Sequence, residues 1–205
     1  MSEITLTIDG REVSTREGAT ILEAAGEAGI DIPTLCSHPD LAPTGACRLC
    51  TVEVTTKGGR SRLVASCAYE AEPGLEVQTE SPAVIKGRKM ILELLLAKSP
   101  GVEILREYGK RYGAEADRFE QEPNYCILCG LCVRYCAEVK CAHAIGFVGR
   151  GVDRQVMFIP EIAAQECATC GECFRLCPTG VLPSNYGLTR VPHFDWPENP
   201  FRGEE

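Results

Sequence analysis

The sequence predicts an α+β protein in which two small domains are joined by a helical connector. Three features of the sequence support this prediction. Short segments that alternate apolar and polar residues fill the first 80 positions, a leucine-rich segment without cysteine or histidine follows, and dense cysteine runs occupy residues 123–183. At 205 residues, the chain is long enough for two domains and a connector.

The first domain, residues 1–80, is predicted to be rich in β-structure. Ile4–Ile8 alternates apolar and polar residues as a half-buried strand does, and Asp9-Gly10 is a strong hairpin signal before a second strand at Arg11–Thr15. Ala19–Ala28 is helix-prone, and Gly29 is suited to end that helix. Further strands are predicted at Cys50–Thr56, Arg62–Ala68 and Leu75–Gln78. This order of elements is typical of a β-grasp domain.

The connector, residues 81–122, is predicted to be helical. Pro82–Lys98 has apolar residues at helical spacing, with lysine and arginine on the opposite side. Ser99-Pro100 is suited to begin a second helix that runs to about Gly113. The residues predicted to pack between the domains are Val84, Ile91, Leu94 and Leu95 of the first helix and Val102, Leu105 and Tyr108 of the second.

Twelve of the thirteen cysteines form three groups of four. Two groups have the spacing C-x2-C-x2-C-x3-C, which is the motif of bacterial ferredoxins. In that motif, the fourth cysteine of each run ligates the other cluster. The first 4Fe–4S cluster is therefore assigned to Cys126, Cys129, Cys132 and Cys177, and the second to Cys167, Cys170, Cys173 and Cys136.

The two runs define a C-terminal domain at residues 123–183. Between them, Ala144–Val148 and Gln155–Ile159 are predicted to form a hairpin. Residues 184–205 are a tail rich in proline and asparagine, in which Phe194 and Trp196 either pack on the domain surface or dock a partner.

The third group, the N-terminal quartet, consists of Cys36, Cys47, Cys50 and Cys67. Three of these lie in a loop rich in glycine, proline, serine and threonine, where Gly45 and Ala46 let backbone N–H groups approach cluster sulfur atoms. The first gap of ten residues is longer than in the plant-type 2Fe–2S motif, C-x4-C-x2-C. Structural disulfides are the alternative for this group.

Zinc and disulfides are the alternatives for the dense runs. Zinc sites usually join two C-x2-C pairs across a long loop. Disulfides suit small secreted chains, whereas this N-terminus lacks the basic start and apolar core of a signal peptide. The leftover Cys141 is either a replacement ligand or, as we predict, a buried cysteine outside all three sites.

Composition indicates the kinds of partner to expect. A formal net charge of −8 argues against nucleic acid, whose phosphates need a basic face. The most apolar stretch, Met90–Ala97, is too short to span a bilayer and contains Glu93, so we expect a cytoplasmic protein without a transmembrane segment. Gly149-Arg150-Gly151 lacks the third glycine of a dinucleotide fingerprint, so we expect no NAD or flavin on this chain.

Several of these motifs resemble one known family. Pro33–Cys36, Pro43–Cys50, Cys126–Arg134 and Ala144–Phe147 resemble the N-terminal iron–sulfur region of the large peripheral-arm subunit of respiratory complex I. They equally resemble the small diaphorase subunit of soluble NAD-linked hydrogenases and the N-terminal region of electron-bifurcating hydrogenases. The resemblance covers residues 1 to about 183. It implies a 2Fe–2S cluster on the N-terminal quartet, because this family uses the long first gap.

The resemblance also implies a role. The chain would be a non-catalytic electron-relay subunit of a multi-subunit NAD(P)H-linked oxidoreductase. It would pass single electrons between an NAD(H)- and FMN-binding flavoprotein and a catalytic subunit such as a hydrogenase or formate dehydrogenase. The alternatives are a free-standing soluble ferredoxin that shuttles electrons between enzymes, and a zinc-stabilised interaction module.

One departure from the family concerns the connector. The family commonly holds a further 4Fe–4S cluster there on a His-and-three-Cys motif, and residues 68–125 contain neither residue type. We therefore expect three clusters. Without that fourth cluster, the sequence does not define the electron route between the N-terminal and C-terminal sites. A cluster supplied by another subunit is one alternative.

Overall fold

The computed structural model describes residues 2–56, 58–121 and 124–189. The chain divides between Leu131 and Cys132 into an N-terminal and a C-terminal unit. The predicted roles of Phe194 and Trp196 lie outside the described residues. Within the described ranges, none of the helices combines the length and the apolarity that a bilayer crossing requires.

The N-terminal unit is built on a five-stranded sheet. Its strands are β1 (Glu3–Ile8), β2 (Arg11–Arg16), β3 (Thr51–Thr55), β4 (Ser61–Ala65) and β5 (Glu76–Gln78), and helix α1 (Ile21–Glu27) follows β2. The strand order in the sheet is β2-β1-β5-β3-β4. All neighbouring strands are antiparallel except β1 and β5, which are parallel.

Local sequence signals explain how these elements begin and end. Asp9 and Gly10 both have positive φ, 49° and 78°, which the tight turn between β1 and β2 requires. Thr20 and Glu23 form a capping box at the start of α1. Gly29, at φ 72°, follows the helix end, as the sequence predicted. The alternating residues Leu6, Ile8 and Val13 are buried in the sheet core, together with Ala24 and Ala25 of α1.

The connector forms two helices, α2 (Pro82–Lys98) and α3 (Glu103–Tyr112), which pack on each other. The bounds of α2 are those predicted, with Ser81 as the N-cap and Pro82 in the first turn. The predicted cap of α3 is wrong. Ser99 is instead the C-cap of α2, because its N–H bonds to the Leu95 carbonyl, and α3 begins after Val102 without a side-chain cap.

The predicted apolar face of α2 is also partly wrong. Leu94 is 50% exposed, whereas Arg88, placed on the solvent side by its charge, is fully buried. The reason is that the guanidinium of Arg88 finds hydrogen-bond acceptors inside the unit, including the carbonyls of Leu49 and Thr51. The residues that α2 buries are Val84, Arg88, Leu92, Glu93, Leu96 and Ala97.

The C-terminal unit contains a hairpin and short helices. Helix α4 (Leu131–Arg134) continues as a π-helical turn over Tyr135–Val139. The predicted hairpin is present as β6 (Ile145–Val148) and β7 (Gln155–Phe158). It is followed by α5 (Pro160–Glu166), α6 (Glu172–Leu176) and α7 (Leu182–Thr189). Phe158, Phe174 and Tyr186 join the hairpin to α6 and α7 through ring contacts with centroids 5.4–6.3 Å apart.

Candidate iron–sulfur sites

The N-terminal quartet is brought together in the interior of the N-terminal unit. Its side chains are between 0% and 6% exposed. Cys36 and Cys47 lie on the loop before β3, and Cys50 directly precedes that strand. Cys67 was expected on a strand, but β4 ends at Ala65 and Cys67 lies in the following turn, where the Ser66 N–H bonds to the Cys50 carbonyl at 3.2 Å.

Two hydrogen-bonded thiol pairs make up this quartet. The hydrogen bond between Cys36 and Cys47 lowers the pKa of Cys47 to about 6 and raises the pKa of Cys36. The bond between Cys50 and Cys67 likewise lowers the pKa of Cys50 to about 6 and raises the pKa of Cys67. The charge on Cys50 further raises the pKa of Cys36. One thiol of each pair is therefore poised as a thiolate, the form that binds metal.

Backbone N–H groups also point at these sulfur atoms. The Cys47 N–H donates to Cys36 Sγ at 3.4 Å, and the Gly45 N–H lowers the pKa of Cys67, opposing the larger upward effect of Cys50. Gly45 has φ 63°, and a Cβ at this position would lie 3.4 Å from the Cβ of Ala65. A Cβ at that distance would be in ordinary van der Waals contact, so the left-handed backbone, rather than lack of space, is what favours glycine here.

The N-terminal quartet lies where two hydrophobic cores of the N-terminal unit meet. Cys50 and Cys67 belong to the sheet core. Cys36 and Cys47 belong to a second cluster, which we call the connector core. Ile127 and Cys129 pack against this core, so the first dense run begins beside it. The buried members of the connector core are Leu35, Cys36, Cys47, Leu49, Leu92, Leu96, Leu105 and Tyr112.

A second group of thiols lies within the C-terminal unit. Cys136, on the π-helical turn, lines a cavity together with the first three cysteines of the second run, Cys167, Cys170 and Cys173. The Ala144 N–H donates to Cys136 Sγ at 3.3 Å. The structure therefore brings the fourth cysteine of the first run beside the second run.

The electrostatics of this cavity disfavour bare thiolates. Burial, together with the charges on Cys167, Cys136 and Cys170, raises the pKa of Cys173 to about 12. Burial and the charges on Cys136 and Cys170 also raise the pKa of Cys167. Bound iron would supply the positive charge that four clustered thiolates need, so the donor set fits a cluster with several iron atoms.

A polar network stands at the rim of the same cavity. The Tyr135 hydroxyl donates to Glu172 at 2.9 Å, and Glu172 forms an ion pair with Lys140. Tyr135 and Lys140 both line the cavity. The network ties the π-helical turn, which carries Cys136, to α6, which carries Cys173.

The remaining cysteines of the dense runs are distributed over both units. Cys126 and Cys129 are half-buried in the N-terminal unit, whereas Cys132 and Cys177 belong to the C-terminal unit. The sulfur of Cys177 lies 3.4 Å from the Thr179 hydroxyl.

Backbone strain marks these positions, and sequence reasoning missed it. Arg48, Tyr125 and Leu128 have positive φ angles of 59°, 55° and 52°. Such a conformation costs a non-glycine residue of order 1–3 kcal/mol, and it tends to persist at binding sites. Each of these residues is adjacent to a cysteine of a C-x2-C segment. The C-x2-C spacing is therefore the sequence feature that could have indicated their strained backbone.

The prediction that Cys141 is buried is wrong. The side chain is exposed, on a residue with φ 53°. Residues 140–143 form a surface turn in which the Ala142 N–H bonds to the Cys136 carbonyl at 3.0 Å. This turn aims the Ala144 N–H at the Cys136 sulfur and leaves Cys141 facing solvent.

All thirteen cysteines lie in the described ranges, and none of them forms a disulfide. In those same ranges, no three or more histidine, cysteine, aspartate or glutamate side chains are arranged to hold a metal ion. The thiols of the C-terminal unit instead line a cavity. A lone ion needs its ligands to converge on one point, whereas a cluster needs them on separate corners.

A β-grasp sheet with a buried four-thiol loop, together with a domain in which two cysteine runs meet, defines an iron–sulfur protein of the ferredoxin type. Residues 1–82 match the model of a 2Fe–2S iron–sulfur cluster binding domain, and residues 125–181 match that of a 4Fe–4S dicluster domain. A chain in the crystal structure of an NAD+-reducing [NiFe]-hydrogenase in the H2-reduced state superposes with a TM-score of 0.74 and is 33% identical. That match covers 86% of this chain and 85% of the hydrogenase chain.

Curated relatives agree with the structural match. The chain is 34% identical, over 89% of its length, to the 78 kDa subunit of mitochondrial NADH-ubiquinone oxidoreductase of Neurospora crassa. It is 33% identical, again over 89%, to the NADP-reducing hydrogenase subunit HndD of Solidesulfovibrio fructosivorans. The chain spans 28% and 36% of the length of these relatives. It belongs to the family of iron–sulfur subunits of NAD(P)H-linked oxidoreductases, and its role is electron transfer. The predicted fold class and family are thereby confirmed.

Proposed function

We propose that the chain holds one 2Fe–2S cluster and two 4Fe–4S clusters. The 2Fe–2S ligands are the N-terminal quartet. The second 4Fe–4S cluster takes Cys136, Cys167, Cys170 and Cys173, an assignment that their common cavity supports. The first takes Cys126, Cys129, Cys132 and Cys177, an assignment that rests on the spacing of the two runs.

When bound, such clusters accept and donate single electrons. The chain's own residues exclude water from the sulfur atoms, since the N-terminal quartet is almost fully buried. They also donate N–H hydrogen bonds to sulfur, from Cys47 and Ala144. Both effects tune the potential at which a cluster is reduced.

The function that the site supports best is that of an electron-relay subunit in a hetero-oligomeric NAD(P)H-linked oxidoreductase. The observation that carries it is the match, over most of both chains, to a chain of an NAD+-reducing hydrogenase. We propose a flavoprotein that exchanges electrons with NAD(H) on one side and a terminal catalytic subunit, such as a hydrogenase or a formate dehydrogenase, on the other.

Electrons are proposed to pass directly between the N-terminal centre and the first 4Fe–4S centre. Cys129 packs against the same connector core that contains Cys36 and Cys47, which supports a short separation between these two centres. Leu105 and Tyr112 of α3 are buried members of the same core. No cluster borrowed from another subunit is required by this route.

Native purification tests the subunit role. We expect the chain to elute from size-exclusion chromatography, in extract prepared without oxygen, together with a flavoprotein and a larger catalytic subunit that mass spectrometry identifies. A free-standing shuttle would elute alone at the size of a 22.3 kDa protein, and that result would contradict the proposal.

Metal analysis tests the number of clusters. Protein purified without oxygen is expected to be brown and to contain about ten iron atoms per chain, the content of one 2Fe–2S and two 4Fe–4S clusters. About fourteen iron atoms would require a fourth 4Fe–4S cluster and so contradict the count. Zinc in place of iron would favour the interaction module instead.

A further inference from the structure

Arg88 is the largest fully buried side chain in the described part of the molecule. The spacing of the cysteine ligands does not explain why this arginine is buried. It lies on α2, outside every cysteine motif. A buried guanidinium has to satisfy its N–H donors and requires a compensating charge. The contacts of Arg88 show what it does.

Two of these contacts are to the main chain around Cys50. The Arg88 Nε donates to the Leu49 carbonyl at 3.0 Å, and Nη2 donates to the Thr51 carbonyl at 2.8 Å. These carbonyls belong to the residues on either side of the cysteine. The planar guanidinium therefore fixes the backbone from which the Cys50 side chain projects.

The other contacts lead from the interior to the surface. Arg88 Nη1 donates to the Tyr112 hydroxyl at 2.8 Å and pairs with Glu80 at 3.1 Å. Glu80 is 43% exposed and also pairs with Arg111 at 3.1 Å, which in turn pairs with Asp31. The positive end of the Arg88–Glu80 pair thus lies inside, beside Cys50, and the negative end lies near solvent.

We propose that Arg88 positions the Cys50 ligand and raises the reduction potential of the N-terminal iron–sulfur centre through its buried charge. Reduction adds a negative charge to the centre, and a fixed positive charge nearby stabilises the reduced form. Glu80 opposes this effect, but water screens its half-exposed carboxylate more strongly than it screens Arg88. The inference rests on the proposed ligation of that centre by Cys50.

Opposite substitutions at the two ends of the pair test this inference. The readout is the midpoint potential of the 2Fe–2S paramagnetic resonance signal in a redox titration of the purified full-length chain. Arg88→Gln is expected to lower the equilibrium constant for reduction about tenfold, which is about 59 mV for one electron. Glu80→Gln is expected to raise the constant by a smaller factor, about threefold, because this carboxylate is partly screened. Neither change should move the midpoints of the 4Fe–4S signals.

Arg118→Gln is the matched control. It removes the same charge from the N-terminal unit, but the guanidinium of Arg118 pairs with Glu93 rather than with the carbonyls of Leu49 and Thr51. We expect the 2Fe–2S midpoint to stay unchanged in this variant. A similar shift in Arg118→Gln and Arg88→Gln would mean that overall charge, rather than the position of Arg88, sets the potential.

Further outcomes separate the possible failures. Should Arg88→Gln not fold, Glu80→Gln still tests the sign, and an unchanged or lowered midpoint there overturns the inference. If Arg88 has only a structural role, Arg88→Gln will broaden or remove the 2Fe–2S signal, and the midpoint potential of the Glu80→Gln variant will not rise. Absence of any 2Fe–2S signal in the unmodified chain would overturn the proposed ligation itself.

Discussion

Replacing Cys136 by serine is expected to abolish one of the two 4Fe–4S signals and to lower the iron content from about ten to about six atoms per chain. Cys136 is buried, accepts a hydrogen bond from the Ala144 N–H, and shares a cavity with the second cysteine run. Serine would place a harder and less polarisable oxygen atom at this corner of the cavity. Iron analysis and paramagnetic resonance of the reduced protein measure both effects.

Cys141→Ser is the matched control for this experiment, because it makes the same chemical change five residues along the chain. Cys141 is exposed and lies outside the cavity, so all cluster signals should remain. The signal lost in Cys136→Ser should be the one lost in Cys173→Ser. If Cys136→Ser instead removed the signal that Cys126→Ser removes, ligation would follow each run separately and the crossed assignment would be wrong.

The isolated chain is expected to accept electrons from dithionite and to show no reaction with NADH. Iron–sulfur clusters carry single electrons, whereas NADH delivers a hydride, so a flavin has to divide the electron pair. Stopped-flow bleaching of the cluster absorbance should therefore appear with NADH only after the flavoprotein recovered in the native purification is added.

Two controls complete this test. Dithionite should bleach the chain fully in the same experiment, which shows that the clusters are intact. The flavoprotein alone should be reduced by NADH without producing the absorbance change of this chain. Rapid bleaching of the pure chain by NADH in the absence of flavin would contradict the relay mechanism.

Elements encoded by neighbouring residues were predictable from the sequence. Asp9-Gly10 produced the expected hairpin, and Pro82–Lys98 formed a helix with the expected bounds. The ligand assignment of the two dense runs follows from their short, fixed gaps and stays a prediction. The cavity that Cys136 shares with Cys173 is consistent with the crossed ligation of the bacterial ferredoxin motif, which the residues around Cys136 do not themselves indicate.

Features that depend on distant parts of the chain were not predictable in this way. Charge placed Arg88 on the solvent side, yet its acceptors come from Leu49 and Thr51, which lie almost forty residues earlier. Serine is a common N-cap residue, but Ser99 is the C-cap of α2. Apolar character suggested that Cys141 is buried, whereas the turn that delivers the Ala144 N–H determines its orientation.

The connector core bears on which residues of this chain form one structural module. The recognised 2Fe–2S domain ends at residue 82, yet Leu49 on its cysteine loop is fully buried against Leu92, Leu96 and Leu105 beyond that boundary. A gene fusion that transferred only residues 1–82 would move an apolar, cysteine-bearing surface into water. A transferred fragment that keeps this surface covered therefore has to include both connector helices.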